Sequence, residues 1–368
     1  PPSVHRLLID CGTSEVYPCL RQRLLALPEG QRHFELLVVT HVDADHIGGA
    51  LDLLREREIL GVSFGEIWFN GYVHLTAGGV VPRAQDEDLL GPLQGEVLTE
   101  LIVANGAQQW NAVVHGGALV VPESGPLQPL LRLPGGMRLT LLSPAQAQLD
   151  RLKPVWDAAC RKAGIVAGAA TAADSSRIDE VDEPTEDDDL LGEPEVSQLA
   201  ALPFKPDRAR PNGSSIALLA EYDGQCVVLA GDAFAEVLLD ALARLPGNAG
   251  GCLRLEAFKM SHHGSRGNTS AELVRAVSCR NWLISTNGEK FGHPNGEAIA
   301  RVLRGGAPDL HLYFNYRSEF NDLWSSSTLQ RKHGYAAHYP ANNGAGMTLE
   351  LSTGGAVAQY AFQVGGEK

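Results

Sequence analysis

Thr40-His41-Val42-Asp43-Ala44-Asp45-His46-Ile47-Gly48-Gly49 decides the reading of this chain. Just before its first histidine, Leu36-Leu37-Val38-Val39-Thr40 is apolar except for its last residue, as in a strand buried on both faces. Just after it, Ile47, Ala50, Leu51 and Leu54 recur at helical spacing and predict a helix over 45–58. Four metal-capable side chains, His41, Asp43, Asp45 and His46, thus fall within six residues at a strand-to-helix junction. Alternation along extended backbone puts His41 and Asp43 on one side. Asp45 and His46 lie in the turn and can face a second ion. Gly48 and Gly49 let the new helix pack closely. A solvated turn with an aspartate helix cap is the plainer account. Such a density of imidazole and carboxylate directly after a buried strand argues against it.

Outward from this junction, strands alternate with helices. Strands are expected near 6–10, 66–70 and 137–142, with a helix over 89–104 closed by Asn105-Gly106. Asp223-Gly224 between apolar runs at 215–220 and 226–230 signals a hairpin. A helix over 235–245, a strand over 253–260, a helix capped at Thr269, and strands at 282–285 and 311–316 follow, with a helix from Gly296 to Leu303 between the last two. A last hairpin is expected from 347–351 and 356–361. The pattern breaks between about 151 and 212, where only a short helix near 155–162 is readable. Residues 163–210 read as a flexible acidic insertion within one domain spanning 1–368. Eleven acids against one Arg177 give 174–195 a charge of −10, leaving −4 of the net −14 for the rest. The body is therefore near neutral.

Composition bounds the class. Of 368 residues, 44% are hydrophobic and 20% charged, which suits a folded globule and excludes collagen, coiled coil and wholesale disorder. No apolar run reaches the ~18 residues of a membrane-crossing helix. The six cysteines are scattered without a CxxC pair, which fits a reducing compartment and points to the cytoplasm.

Three later stretches place chemistry at expected strand ends. Gly231-Asp232 offers a carboxylate able to bridge two cations, although a helix cap alone would explain it. Ser261-His262-His263-Gly264-Ser265 carries paired histidines, and Gly292-His293-Pro294 carries another. Open α/β sheets hold ligands at the C-terminal ends of their strands.

Together these motifs resemble the metallo-β-lactamase superfamily, and more narrowly the metallo-β-lactamase-like domain of bacterial DNA-uptake competence channel proteins. That group replaces the second histidine of H-x-H-x-D-H by aspartate, as His41-x-Asp43-x-Asp45-His46 does. It also shows an Asn-x-x-Ser segment, matched by Asn212 to Ser215, then Gly-Asp, His-His-Gly-Ser and Gly-His-Pro in this order. Leu8-Ile9-Asp10-Cys11-Gly12 is similar to its early strand. The strand and glycine-rich turn preceding that one in the group have no match, so the N-terminus is expected to be trimmed.

The resemblance implies an α/β fold, a four-layer αββα sandwich. It implies two divalent metal ions, zinc or manganese. One would be held by His41, Asp43 and His262, the other by Asp45, His46 and His293, with Asp232 bridging. Catalytic roles fall to Asp45, His262 and His263, the last as proton donor or phosphate clamp. Asn212, Ser265 and Arg266 would contact substrate, with Asn268 beside them. His115, and less so His74, are the candidates for a further ligand. The implied activity is a phosphodiesterase or nuclease acting on DNA. Hydrolysis of a small ester or amide, or a non-catalytic metal-binding role, are the alternatives. The acidic insertion would mimic nucleic acid over the cleft until an activating protease cuts it; a solvated linker is the plainer account.

Overall fold

The computed structural model describes residues 4–75, 90–169, 195–246, 248, 251–289, 291–341, 346–353 and 356–362. Three parallel strands form one sheet in the order β1 (Leu7–Ile9), β2 (His33–Val38), β3 (Ser63–Trp68). Eight strands form the second: β4 (Leu131–Arg132), β5 (Arg138–Ser143), β6 (Ala217–Tyr222), β7 (Gln225–Leu229), β8 (Leu253–Lys259), β9 (Val277–Ile284), β10 (Leu310–Phe314) and β11 (Tyr335–His338), neighbours in sequence order. It is antiparallel from β4 to β7 and parallel from β7 to β11. A hairpin of β12 (Met347–Thr353) and β13 (Ala356–Phe362) completes the strands.

The expected αββα layering is present. Along β2, Leu37 turns to the helices and packs with Ile47, Leu51, Leu98, Leu152 and Trp156. Its neighbours Leu36 and Val38 turn inward, into a core shared with Leu141, Leu219 and Val228 of the second sheet. This alternation is the pleat of a strand buried on both faces. On the outer side of the second sheet, Leu238, Leu273, Ile299 and Leu329 cover Phe258, Trp282 and Leu312.

The central junction behaves as its residues dictate. The helix runs Ala44–Leu60 and stops at Gly61 in the left-handed conformation. A Cβ on Gly49 would lie 2.3 Å from the Cys11 carbonyl oxygen, so the close approach is to the turn after β1. Asp223 and Gly224 both take positive φ, as the tight hairpin between β6 and β7 needs.

Several expectations shift. The cap of helix Ala271–Arg275 is Ser270, whose hydroxyl accepts from the Leu273 amide, not Thr269. The short helix near 155–162 is an eighteen-residue helix, Gln146–Ala163, that carries Pro154 inside. Its buried Leu149, Leu152, Val155, Trp156, Ala159 and Cys160 outweigh the one backbone bond that proline removes. Of the stretch 163–210, residues 170–194 lie outside the described residues, and with them nearly all of the acidic run. Residues 195–210 are packed structure: Val196 is fully buried, and Leu199 and Phe204 join the main core. No described helix is long and apolar enough to cross a membrane.

Candidate metal centre

The C-terminal ends of parallel strands meet at one edge. Asp10 follows β1, His41 follows β2, Asp232 follows β7 and His262 follows β8. Asp232 Oδ2 is the hub. The Nε2 atoms of His46, His263, His41 and His262 lie 3.3, 3.7, 3.9 and 3.9 Å from it. Asp45 Oδ2 stands 2.9 Å from His263 Nε2 and 3.6 Å from His46 Nε2. Asp43 Oδ2 stands 3.4 Å from His41 Nε2. Two ligand triads result, His41–His46–Asp232 and Asp45–His46–His263.

The far nitrogen of each imidazole is already engaged. Thr40 Oγ1 donates to Asp10 Oδ2 at 2.9 Å, so it accepts from His41 Nδ1, 3.0 Å away. His46 Nδ1 donates to Asp10 Oδ2 at 2.7 Å, and His263 Nδ1 to the Ser285 carbonyl at 2.5 Å. These bonds fix the tautomers and turn the Nε2 lone pairs of all three rings towards the cluster. His46 Nε2 and His263 Nε2 come within 3.2 Å of each other. Two lone pairs so close repel unless a proton or cation lies with them. His41 Nε2 and Asp232 Oδ1 are buried without a hydrogen-bond partner. Unpaired buried polar atoms are costly, and a divalent cation would satisfy them. The donor set therefore suits a metal of mixed oxygen and nitrogen preference.

Backbone strain supports this geometry. His262, His263 and Gly264 take φ of 46°, 56° and 89° in succession. Left-handed backbone costs a non-glycine residue about 1–2 kcal/mol, and here it delivers two consecutive imidazoles to one site. Gly231, at φ 51°, sits where a Cβ would lie 2.5 Å from Ser215 Oγ. Its carbonyl receives the His262 amide at 3.1 Å, and Ser215 Oγ accepts from the Asp232 amide at 2.9 Å.

The charges are tightly coupled. Burial disfavours the ionised Asp232 and Asp45 carboxyls. The imidazoles of His46 and His263 outweigh it and hold both well below the usual carboxylate range. Burial likewise disfavours the charged form of His46, yet Asp232, Asp10 and Asp45 raise it. For His262, burial is overcome by Asp232 and Asp207, and the ring is pushed up to about 9. Burial, with His262 and His263 nearby, pushes His293 down.

The sequence-based assignments meet this geometry as follows. His41, Asp43, Asp45, His46, Asp232, His262 and His263 converge. His293 stands beside them with its ring 5.0 Å from that of His262 and its Nδ1 buried without a hydrogen-bond partner, and Asp45 and His46 group with His263 as well. Asn212 donates to Asp207 at 2.8 Å and abuts His262 Nδ1 at 3.3 Å. Ser265 accepts from the Gly267 amide at 3.2 Å, and Arg266 pairs with Glu297 at 3.3 Å. His115 is exposed on a turn and makes no contact with the cluster among the described residues. His74 is occupied by the Gly71 amide at 3.0 Å and the Gly116 carbonyl at 3.2 Å.

Sequence reading missed two carboxylates. Asp10 orients His46, and its place at the end of a strand was the available signal. Asp207 lies 3.5 Å from His262 Nδ1 and accepts from Asn212 and from Asn268 Nδ2 at 3.0 Å. Asn268 Oδ1 in turn receives His262 Nδ1 at 3.1 Å. Nothing in the sequence joins Asp207 to a histidine 55 positions later.

A family model for the metallo-beta-lactamase superfamily matches residues 5–100, which hold Asp10 and the His41–His46 junction. ComE operon protein 3 of Bacillus subtilis (strain 168) is 27% identical over 103 residues, 28% of this chain and 13% of that protein. The matched stretch is thus a small part of that relative's length. Asp232, His262, His263 and His293 lie beyond the family match and join the site through the fold.

Proposed function

We propose that this chain, a metallo-beta-lactamase superfamily protein by its motifs, its fold and its family match, is a metal-dependent phosphodiesterase acting on DNA. The observation that carries the metal-hydrolase reading is the convergence on Asp232, with His41 Nε2 and Asp232 Oδ1 buried and unpartnered. DNA as substrate is supported by Asp43 in the H-x-D-x-D-H pattern, the form that resembles the DNA-uptake group.

In this reading two cations, zinc or manganese, would be held here, one by His41 and Asp43 and the other by Asp45, His46 and His263, with Asp232 within reach of both groups. Bound there, they would acidify a shared water towards neutrality and offset phosphate charge. The chain's own groups do the rest. Asp10, Thr40 and Ser285 keep three imidazoles aimed at the site. His262 is absent from both triads, and its ring is pushed up to about 9. Held at Nδ1 by Asn268, with Nε2 3.9 Å from Asp232 Oδ2 as that of His41 is, it can complete the ligand set of the first ion or face the leaving oxygen. Six cysteines without a disulfide support a reducing compartment, the cytoplasm.

The test is metal content joined to cleavage of single- and double-stranded DNA with manganese or zinc. Chelation should abolish cleavage, and Asp45→Ala should lower it by at least about 100-fold, as loss of a metal ligand would. Equal cleavage by the variant defeats the reading. Turnover of a small ester or lactam with DNA untouched turns it to the small-molecule alternative.

A further inference from the structure

The segment that leads into the centre carries charge as well as connection. Lys205-Pro206-Asp207-Arg208-Ala209-Arg210 holds three cations in six residues, in a chain of net charge −14. Its single acid is turned inward, committed to Asn212, Asn268 and His262. Lys205 and Arg208 are exposed, and neither has an ion-pair partner among the described residues. Arg210 Nη1 is buried without a hydrogen-bond partner.

The path of this segment is fixed. Pro203, Pro206 and Pro211 restrict its backbone. The Arg301 guanidinium lies 5.5 Å over the Phe204 ring and donates to the Leu202 carbonyl at 3.3 Å. The Asp207 amide donates to the Gly267 carbonyl at 3.0 Å, and a Cβ on Gly267 would sit 3.3 Å from the Lys205 carbonyl oxygen. The segment therefore runs against the turn that follows His262 and His263. Lys205 and Arg208 are within two Cα steps of Asp207, about 7.6 Å, and Asp207 itself reaches the His262 ring. Unpartnered cations on a stiff backbone beside a hydrolytic centre suit a ligand with regularly repeated negative charge. Binding them orders little that is not already ordered.

We propose that residues 205–210 form a phosphate-binding strap, in which the exposed Lys205 and Arg208 take the phosphates flanking the scissile bond of a polynucleotide. This rests on the phosphodiesterase reading above. A run of charge that merely solvates the surface would be indifferent to nucleic acid, which makes the two distinguishable.

The experiment measures binding of fluorescein-labelled single-stranded DNA by anisotropy over a salt series, in EDTA so that nothing is cut. Wild type is compared with Lys205→Ala/Arg208→Ala. Metal-loaded turnover of DNA and of bis(p-nitrophenyl) phosphate is measured beside it. The double variant should bind about ten-fold more weakly, with a log–log salt slope shallower by about 1.4, the value for two lost single-strand contacts. Turnover of the small diester, which has no flanking phosphates, should fall far less than turnover of DNA. Unchanged affinity and slope, with wild type still cutting DNA, overturns the strap and leaves the phosphodiesterase standing. Equal losses on DNA and small diester also overturn it, because the segment then acts only through Asp207 on His262. A wild type that neither binds nor cuts DNA overturns both.

Discussion

Asp10 shows how much one side chain off the metal can decide. It accepts from the Thr40 amide and hydroxyl and from His46 Nδ1, at 2.7, 2.9 and 2.7 Å. With those bonds, His41 and His46 can present only Nε2 to the site. Asp10→Asn keeps the shape but brings an amide NH₂ that must avoid three donors. Metal affinity should fall by about 10- to 100-fold, read by competition with a chromophoric chelator, while the thermal midpoint of the metal-free protein moves little. An affinity equal to wild type would show that His46 is oriented by packing alone.

Among the elements, helix 146–163 ties the first sheet to the site's surroundings. Trp156 is buried and donates from its indole to Glu96 at 2.7 Å, and Glu96 also accepts from the Gly168 amide at 2.9 Å. The same carboxylate thus anchors the helix and the chain leaving it. Trp156→Phe leaves a void and strips one donor from a buried acid. The expected cost is about 2–4 kcal/mol, measured as a lower urea midpoint. A loss below about 1 kcal/mol would mean that Glu96 finds another donor. This helix was only half legible in the sequence because Pro154 masks a regular apolar stripe. Helix 44–60, by contrast, was readable almost to its ends, since its spacing is uninterrupted and Gly61 stops it.

For the whole molecule, the layered core governs how the thiols respond to pH. Burial pushes Cys160 and Cys279 up to about 12 and Cys226 to about 11, whereas Cys252 is exposed. In the unfolded chain all would ionise near pH 8.5. Above that pH the unfolded state sheds thiol protons that the folded state retains, so stability falls as pH rises towards 12 and is unaffected by these groups below 8.5. A thiol reagent at mildly alkaline pH should modify Cys252 well before Cys160, Cys226 and Cys279. Rapid modification of Cys279 in the native protein would mean that the sheet-to-helix layer opens far more readily than its burial implies.

The sequence by itself determined whatever depends on neighbours in the chain. The strand before His41, the helix after it and the hairpin at Asp223-Gly224 follow from periodicity and local turn chemistry, while the layered fold is what the resemblance carried by the motifs implies. The tertiary structure alone decided which groups meet. It set His263 as well with Asp45 and His46, placed His293 against the His262 ring, left His115 on an exposed turn, and brought Asp10 and Asp207 behind the rings of His46 and His262. The physical reason is that a metal site is made of lone-pair directions. Those are fixed by hydrogen bonds between strand ends far apart in the chain, and no spacing along the sequence records them.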